Sequence, residues 1–264
     1  LQAGKLYDIC FNCFWVNDPT KHEFVPNDVQ RIQTQKSLDA RLKCVYNYKE
    51  DSKKNLLDLI DSAGIARTEV FAGDYLDEPQ ITIISPTRDF YESLLPKFRN
   101  KLNFHWALEA LEENSYSSKD DISDETTLSK TLDDATDDTS AHNQSSIVFL
   151  LETDEKQKFL FTGDAGRDAF NHVPQTLLGK VKDVTWMKVP HHGSKHNLDS
   201  TIIKHVNPEI AYISTEKQGK YLNRSTVFAL KKNGTKVYST SQNRSTIRHG
   251  AIKTREGWTK IEPM

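Results

Sequence analysis

Four short apolar segments, each followed at once by small or polar residues, constrain the fold more than any other feature of the chain. They read "FLFTGD" (159–164), "WMKVPHHGS" (186–194), "PEIAYIST" (208–215) and "TKVYST" (235–240). Their branched and aromatic residues are typical of buried strands. The stretches between them have helical spacing or end in glycine, which predicts intervening helices. Strands that alternate with helices indicate an α/β or layered α+β protein.

A predicted hairpin precedes this alternation. Residues 145–152, "SSIVFLLE", and residues 158–165, "KFLFTGDA", are separated by the polar turn "TDEKQ" and are expected to pair as neighbouring strands. An earlier strand is predicted at "PQITIISP" (79–86), where a proline ends the apolar run.

Residues 113–142 contrast with these strands because they are rich in Asp, Ser and Thr and contain few residues that could form a core. Such a composition cannot offset the entropy lost on ordering, which predicts a flexible acidic insertion. An acidic segment that binds a partner is the alternative interpretation. Apart from this insertion, residues 1–264 are predicted to form a single domain.

The overall charge excludes a protein that holds nucleic acid through a strongly basic surface. The chain has 264 residues, 27% of them charged, and its formal net charge is -2, so any site for a polyanion must be local. The odd number of three cysteines fits a reducing compartment. No apolar stretch reaches the length of about 18 residues that suggests a membrane span. The sequence therefore predicts a cytoplasmic protein without a membrane segment.

Ionisable residues follow two of the predicted strands. Asp164 comes directly after "FLFTG", and His191 and His192 come directly after "WMKVP". Residues beyond the ends of neighbouring strands converge at one edge of a sheet, so a carboxylate and two imidazoles are expected within reach of a shared metal ion. From residue types alone, the alternative is that Asp164 caps the following helix and the histidines are turn residues.

The order of these motifs resembles that of the metallo-β-lactamase-fold hydrolases, and in particular the C-terminal domain of ComEC-type DNA-uptake proteins. The resemblance rests on "NQSSIVFLLE", "FLFTGDA", "MKVPHHGS" and "PEIAYIST", and it extends from about residue 55 to 255. It implies the αββα sandwich of that fold in an N-terminally incomplete form. The family's principal signature, His-x-His-x-Asp-His, is absent from the chain.

That signature provides most of the ligands of one metal ion in the family. The opening "LQAGKLYDICFN" resembles the helix end and strand that follow the signature, so the missing motif is expected just upstream of Leu1. The chain alone is therefore predicted to bind metal weakly and to be inactive. A second departure lies at "KYLNRST" (220–226), where many relatives have Gly-His-Pro.

The resemblance also implies a reaction. Two divalent ions, Zn²⁺ or Mn²⁺, would activate a hydroxide toward a phosphodiester, which is the chemistry of a nuclease or phosphodiesterase. Asp164 matches the carboxylate that bridges the two ions and is expected to be essential for catalysis. His192 is assigned to metal, and His191 to catalysis through contact with the substrate or protonation of the leaving group. Which of the two histidines binds metal stays open.

Three further residues are predicted to bind substrate. Ser194 and Lys195 are candidate donors to phosphate oxygens, although a solvated surface lysine is the alternative for Lys195. Asn143 matches the family's Asn before the strand, and either Asn143 or the neighbouring His142 could contact metal. The alternative for Asn143 is that it closes the flexible loop through backbone hydrogen bonds.

Three functions are therefore compared. The leading prediction is a hydrolase that acts on phosphodiesters, with nucleic acid as a candidate substrate; the sequence identifies no protein partner. A degenerate, non-catalytic binding module of the same fold is the first alternative. Hydrolysis of a small ester, lactam or thioester is the second, because this fold hosts all of these chemistries.

Overall fold

The computed structural model describes residues 13–15, 17, 22, 62–76, 80–97, 131–215, 222–242, 246–248 and 258–264. These ranges include every residue assigned above to the candidate site. They also include the predicted strands that lead to it.

The described ranges contain short strands and short helices. In chain order the strands are β1 (Cys13–Trp15), β2 (Ala66–Thr68), β3 (Tyr75–Leu76), β4 (Gln80–Ser85), β5 (Val148–Glu152), β6 (Lys158–Phe161), β7 (Trp186–Lys188), β8 (Ile210–Ile213), β9 (Lys236–Ser239), β10 (Thr246–Arg248) and β11 (Trp258–Lys260). The helices are α1 (Arg88–Leu94), α2 (Ala141–Gln144), α3 (Arg167–Asn171), α4 (Gln175–Leu178), α5 (Ser200–Val206) and α6 (Arg224–Lys232). Short 3-10 segments lie at Leu95–Lys97, Pro190–Gly193 and Thr240–Gln242.

Local capping explains where the two longer C-terminal helices begin. The carboxylate of Asp199 accepts a hydrogen bond from the N–H of Ile202 at 2.7 Å and so starts α5. Asn223 starts α6 in the same way, through the N–H of Ser225 at 2.9 Å. Asn207 ends α5 in the left-handed conformation, with a φ of 44°.

Seven strands form one mixed sheet in the order β3-β4-β5-β6-β7-β8-β9. Strands β3 to β6 are antiparallel neighbours, whereas β6 to β9 run parallel to one another. The predicted hairpin is confirmed, since Phe149 lies opposite Phe161 and Glu152 lies opposite Lys158. The protein therefore has the mixed α/β architecture that the alternation of strands and helices predicts.

Alternation along the strands divides the apolar side chains between the two faces of the sheet. In β5, Val148 and Leu150 are fully buried in the main core, which side chains from α1, α3, α5 and α6 complete. Phe149 packs instead with a smaller cluster that includes Ile81 and Ile83 of β4. Both faces of the sheet are thus apolar, as expected for a central layer.

A row of aromatic rings crosses the second face from β5 to β9. The ring centroids of Phe149 and Phe161 lie 4.7 Å apart, and those of Phe161 and Trp186 lie 5.1 Å apart. The row continues to Tyr212 at 5.8 Å and from there to Tyr238 at 5.2 Å. Side chains of this size make the second face apolar across the parallel part of the sheet.

The last part of the predicted acidic insertion is packed instead of solvated. Leu132 is fully buried in the main core. The guanidinium of Arg167 donates to the carbonyls of Leu132 at 2.7 Å and Ala135 at 3.1 Å, which fixes the segment to the core. The prediction of a flexible insertion is therefore wrong for residues 131–142. Residues 113–130 lie outside the described ranges, and there it stays a prediction.

Replacing Leu132 by alanine is expected to lower the free energy of unfolding by about 2–5 kcal/mol, the usual cost of the cavity left by a buried leucine. Urea denaturation followed by circular dichroism measures the change. Asp134→Ala, at an exposed neighbouring position, is the matched control and is expected to change the free energy by less than about 0.5 kcal/mol. Equally small effects of the two substitutions would contradict the placement of Leu132 in the core.

The helices within the described ranges are all short. None of them combines the length and the apolar character that crossing a membrane requires. The predicted cytoplasmic location and the single domain over residues 1–264 stay predictions.

Candidate active site

The candidate site lies at one edge of the seven-stranded sheet. The parallel strands β6, β7, β8 and β9 end at this edge, and the antiparallel strand β5 begins there. Asp164 follows β6, His191 and His192 follow β7, and Ser214 follows β8. Parallel pairing therefore brings together residues that are far apart in the sequence.

The Thr-Gly-Asp turn after β6 packs tightly against the segment before β5. Gly163 has a φ of 55°, and a Cβ at this position would lie 2.9 Å from Cβ of Ser146, so the turn requires glycine. The N–H of Asp164 donates to the Ser146 hydroxyl at 3.2 Å. The hydroxyl of Thr162 donates to the carbonyl of Lys188 at 2.7 Å. These contacts fix the backbone of Asp164, while its side chain stays 41% exposed.

The turn after β7 contains three consecutive residues with positive φ angles, which are 42° at His191, 55° at His192 and 89° at Gly193. Left-handed conformations of residues other than glycine cost on the order of 1–3 kcal/mol each, so the surrounding contacts must hold the two histidines. A Cβ at Gly193 would lie 3.2 Å from Cγ2 of Ile213, which favours glycine there. The two imidazole rings lie 6.1 Å apart and are tilted by 59°.

Hydrogen bonds join the two turns directly. The N–H of His191 donates to the carbonyl of Gly163 at 3.3 Å, and Nζ of Lys188 donates to the same carbonyl at 2.6 Å. Nζ of Lys188 also lies 3.8 Å from Oδ1 of Asp164. Burial lowers the pKa of Lys188, and the charge of Asp164 offsets part of that shift. The two sequence motifs therefore form one site.

His192 is held through one ring nitrogen. Its Nδ1 lies 2.5 Å from the carbonyl oxygen of Ser214. A carbonyl only accepts hydrogen bonds, so Nδ1 carries a proton. When the ring is neutral, the lone pair is then on Nε2. Metal-bound histidines commonly donate their other ring N–H to a carbonyl or carboxylate in this way. The tautomer of His192 thus suits a metal ligand that binds through Nε2.

His191 contacts a buried carboxylate that its own motif does not contain. Its Nδ1 lies 3.4 Å from Oδ2 of Asp138 and 3.2 Å from Oδ1 of Asn197. Asp138 accepts three further hydrogen bonds, from Nδ2 of Asn143 at 2.8 Å, Nδ2 of Asn197 at 3.0 Å and the N–H of Ser140 at 2.8 Å. The Asp138 side chain is only 10% exposed, so these donors replace the water around it.

Both members of this pair have pKa values shifted toward their charged forms. Burial acts to raise the pKa of Asp138, but hydrogen bonds from His191, from two amides and from the Ser140 N–H outweigh it and leave the pKa below its usual value. Burial acts to lower the pKa of His191, but the hydrogen bond and charge of Asp138 outweigh it, with contributions from Asp164 and Asn197, and leave it raised. The fold therefore favours an imidazolium beside a carboxylate.

Replacing Asp138 by asparagine is expected to lower the pKa of His191, because the hydrogen bond and the negative charge that oppose burial are both removed. A titration of the His191 ring signals by NMR measures the change. Asp137→Asn is the matched control, because this exposed carboxylate pairs with Arg167 at 2.9 Å instead, and it should leave the His191 titration unchanged. A pKa of His191 that rises in Asp138→Asn would contradict the pairing.

The predicted substrate-binding residues lie close to the site but are engaged in contacts within the protein. Ser194 is 6% exposed, and its hydroxyl accepts a backbone N–H two residues further on at 3.2 Å. The carbonyl of Lys195 accepts a hydrogen bond from Arg167 at 3.0 Å. The Asn143 amide donates to the buried carboxylate described above, and His142 is half-buried beside it in α2. Contact of Ser194, Lys195 and Asn143 with a substrate stays a prediction.

Sequence reasoning misses three residues that shape the site. Lys188 carries a local signal, since a lysine inside an apolar strand needs a polar partner. Asp138 lies in a stretch whose composition predicts a solvated loop, and Asn197 follows the His-His motif without a pattern of its own. Their importance comes from a contact between residues 59 positions apart, which no local pattern contains.

Asp164 and His192, the two residues predicted to bind metal, both follow strands that end at the same edge of the sheet. Asp164 and His192 have donor atoms that Zn²⁺ or Mn²⁺ accepts. Within the described part of the chain, however, no group of three or more His, Cys, Asp or Glu residues is arranged to hold an ion. A catalytic zinc site uses about three protein ligands, so these two residues fit a metal but do not complete its site.

Fold and site together define a mixed α/β protein with polar residues gathered at the carboxyl ends of its parallel strands. No protein-family model matches the sequence. Over 128 residues the chain is 30% identical to ComE operon protein 3 of Bacillus subtilis (strain 168). The match covers 48% of this chain and 16% of that protein, so the chain spans well under two thirds of this relative.

Proposed function

We propose that this protein is a metal-dependent hydrolase of the metallo-β-lactamase fold that cleaves phosphodiester bonds, as a nuclease or phosphodiesterase does. The observation that carries the proposal is the hydrogen bond from the N–H of His191 to the carbonyl of Gly163, which joins the two candidate motifs. The similarity to ComE operon protein 3 agrees with the motif resemblance. A role in handling DNA follows from that resemblance.

The αββα sandwich is part of the same proposal. It is supported by the aromatic second face of the sheet, because an apolar sheet face packs against a further layer. The ring of Trp15 in β1 packs edge-on against Phe149 with 5.5 Å between the centroids, and β1 pairs with β2. This contact and this pairing support the proposal of a second layer on that face.

The residues of the site have separate roles in the proposed reaction. Divalent ions, when bound, would supply an activated hydroxide and polarise the phosphoryl oxygens. Asp164 and His192 are the residues assigned to hold them. Lys188 places a positive charge beside Asp164, which favours an anionic substrate. His191, held at Nδ1, contributes Nε2 as a proton donor to the leaving oxygen.

The proposal is tested by assaying the 264-residue chain beside a longer form that carries the residues encoded before Leu1. If those residues include the His-x-His-x-Asp-His signature, we expect the longer form to cleave bis(p-nitrophenyl) phosphate with Mn²⁺ or Zn²⁺ and to stop when a chelator is added. The shorter chain should show little turnover because its described residues provide too few ligands. Robust turnover by the shorter chain would contradict this ligand count. A longer form that carries the signature but shows no turnover would contradict the proposed hydrolase activity.

A non-catalytic binding module is the second candidate function. It is favoured by the incomplete set of metal ligands among the described residues. Isothermal titration calorimetry separates the candidates, because a binding module predicts a folded longer form that neither binds Mn²⁺ or Zn²⁺ tightly nor turns over the ester.

A further inference from the structure

A buried carboxylate outside the proposed metal residues determines how His191 is held. Asp138 lies 3.4 Å from Nδ1 of His191, and its side chain is 10% exposed. Three donors fix its two oxygens: the amides of Asn143 and Asn197, at 2.8 and 3.0 Å, and the N–H of Ser140 at 2.8 Å. A carboxylate bound at so many points has little freedom to move. The Asp138 carboxylate is therefore held in one position by its hydrogen bonds.

Asn197 connects Asp138 to the turn that carries Asp164. Its side chain is fully buried, and its Nδ2 donates to Asp138 at 3.0 Å and to the backbone carbonyl of Asp164 at 3.1 Å. Its Oδ1 lies 3.2 Å from Nδ1 of His191. One amide thus links the imidazole, the anchoring carboxylate and the Thr-Gly-Asp turn, and it fixes their relative positions.

We propose that Asp138 is the positioning residue for His191 in phosphodiester cleavage, with Asn197 as its support. This inference rests on the proposed function. The two nitrogens of an imidazole lie on opposite sides of the ring, so holding Nδ1 against Asp138 directs Nε2 away from that carboxylate. A misdirected ring would leave the nitrogen out of reach of the leaving oxygen.

This geometry suits a step in which the leaving oxygen is protonated as its bond to phosphorus breaks. The oxygen of a hydroxide forms a bond to phosphorus, and the bond between phosphorus and the leaving oxygen breaks. The leaving oxygen keeps the electron pair of that bond and takes the proton from Nε2 of His191. The neutral imidazole then regains a proton from solvent water.

The choice of leaving group separates positioning from a structural role. p-Nitrophenolate leaves without a proton, whereas the more basic phenolate depends on one, so the p-nitrophenyl and phenyl esters of thymidine 5′-monophosphate differ in their need for His191. In the active form of the protein, Asp138→Asn is expected to lower kcat for the phenyl ester by about 100-fold and for the p-nitrophenyl ester by less than about 10-fold. KM should stay unchanged for both esters. Asp137→Asn is the matched control and should change neither kcat.

A double substitution shows whether Asp138 acts through His191. In a His191→Ala background, Asp138→Asn should cause no further loss of kcat on the phenyl ester. Equal losses on the two esters, or a further loss in that background, would overturn the positioning role. A parent protein that cleaves neither ester would overturn the proposed function and this inference with it.

A second variant covers the case in which Asp138→Asn does not fold, as judged by circular dichroism. Asn143→Ala removes one donor from Asp138 at a half-buried position. It should show the same difference in kcat between the two esters, and an equal loss of kcat on both at unchanged KM would again overturn the proposal.

Discussion

Replacing Asp164 by alanine is expected to lower phosphodiester hydrolysis by more than about 100-fold in the active form of the protein, because groups that only orient metal ligands already contribute about 10- to 100-fold. Asp164 lies at the edge that both motifs share, and the proposed function assigns its carboxylate to metal binding. Initial rates with bis(p-nitrophenyl) phosphate measure the loss, and calorimetric titration with Mn²⁺ should show weaker metal binding.

The fold should survive this substitution, since the Asp164 side chain is 41% exposed and its backbone N–H keeps the Ser146 hydroxyl as its acceptor. Asp168→Ala is the matched control, because Asp168 is an exposed carboxylate four residues further along, in the first turn of α3. Its rate should stay close to that of the parent. An Asp164→Ala protein with full activity would remove Asp164 from the proposed metal residues.

Replacing Arg167 by alanine is expected to lower the free energy of unfolding by about 3–5 kcal/mol, because it leaves buried acceptors without their donor. The guanidinium is buried and pairs with Asp137 at 2.9 Å. It also donates to four backbone carbonyls, those of Leu132, Ala135, Lys195 and Leu198, at 2.7 to 3.1 Å. Urea denaturation gives the change in free energy.

Arg224→Ala provides the comparison for Arg167, because Arg224 is an exposed arginine at the start of α6. This substitution is expected to change the free energy of unfolding by less than about 0.5 kcal/mol. A loss below about 1 kcal/mol for Arg167→Ala would mean that the carbonyls find other donors when the guanidinium is absent.

The strands that lead to the site are predictable because their signals are local. Residues 159–161 are apolar, and residues 186–189 are apolar except for Lys188; each stretch leads directly into a turn that contains glycine or proline. Parallel pairing of β6 and β7 then follows from the helices between them, and it places Asp164 and His191 at the same edge. The mixed α/β class and the position of the candidate site could therefore be predicted from the sequence.

The supports of the site could not be predicted in this way. Asp133, Asp134, Asp137 and Asp138 occur in one polar stretch, and no local pattern distinguishes them. Of these four residues, only Asp138 contacts His191 and Asn197. Those two residues follow β6 and β7 in the sequence, whereas Asp138 precedes both strands. Likewise, the protonated nitrogen of His192 is fixed by the carbonyl of Ser214, which follows the next strand. Such contacts depend on tertiary structure, so the spacing of residues in the sequence does not reveal them.

The packing of residues 131–142 limits how this protein can be shortened. A deletion that removed the whole polar stretch 113–142 would also take Leu132 out of the core and Asp138 away from His191. A deletion that stopped before residue 131 would keep both contacts. Two deletion variants that differ only in this end point should therefore differ in stability. A boundary chosen from composition alone would remove the residues that support the site.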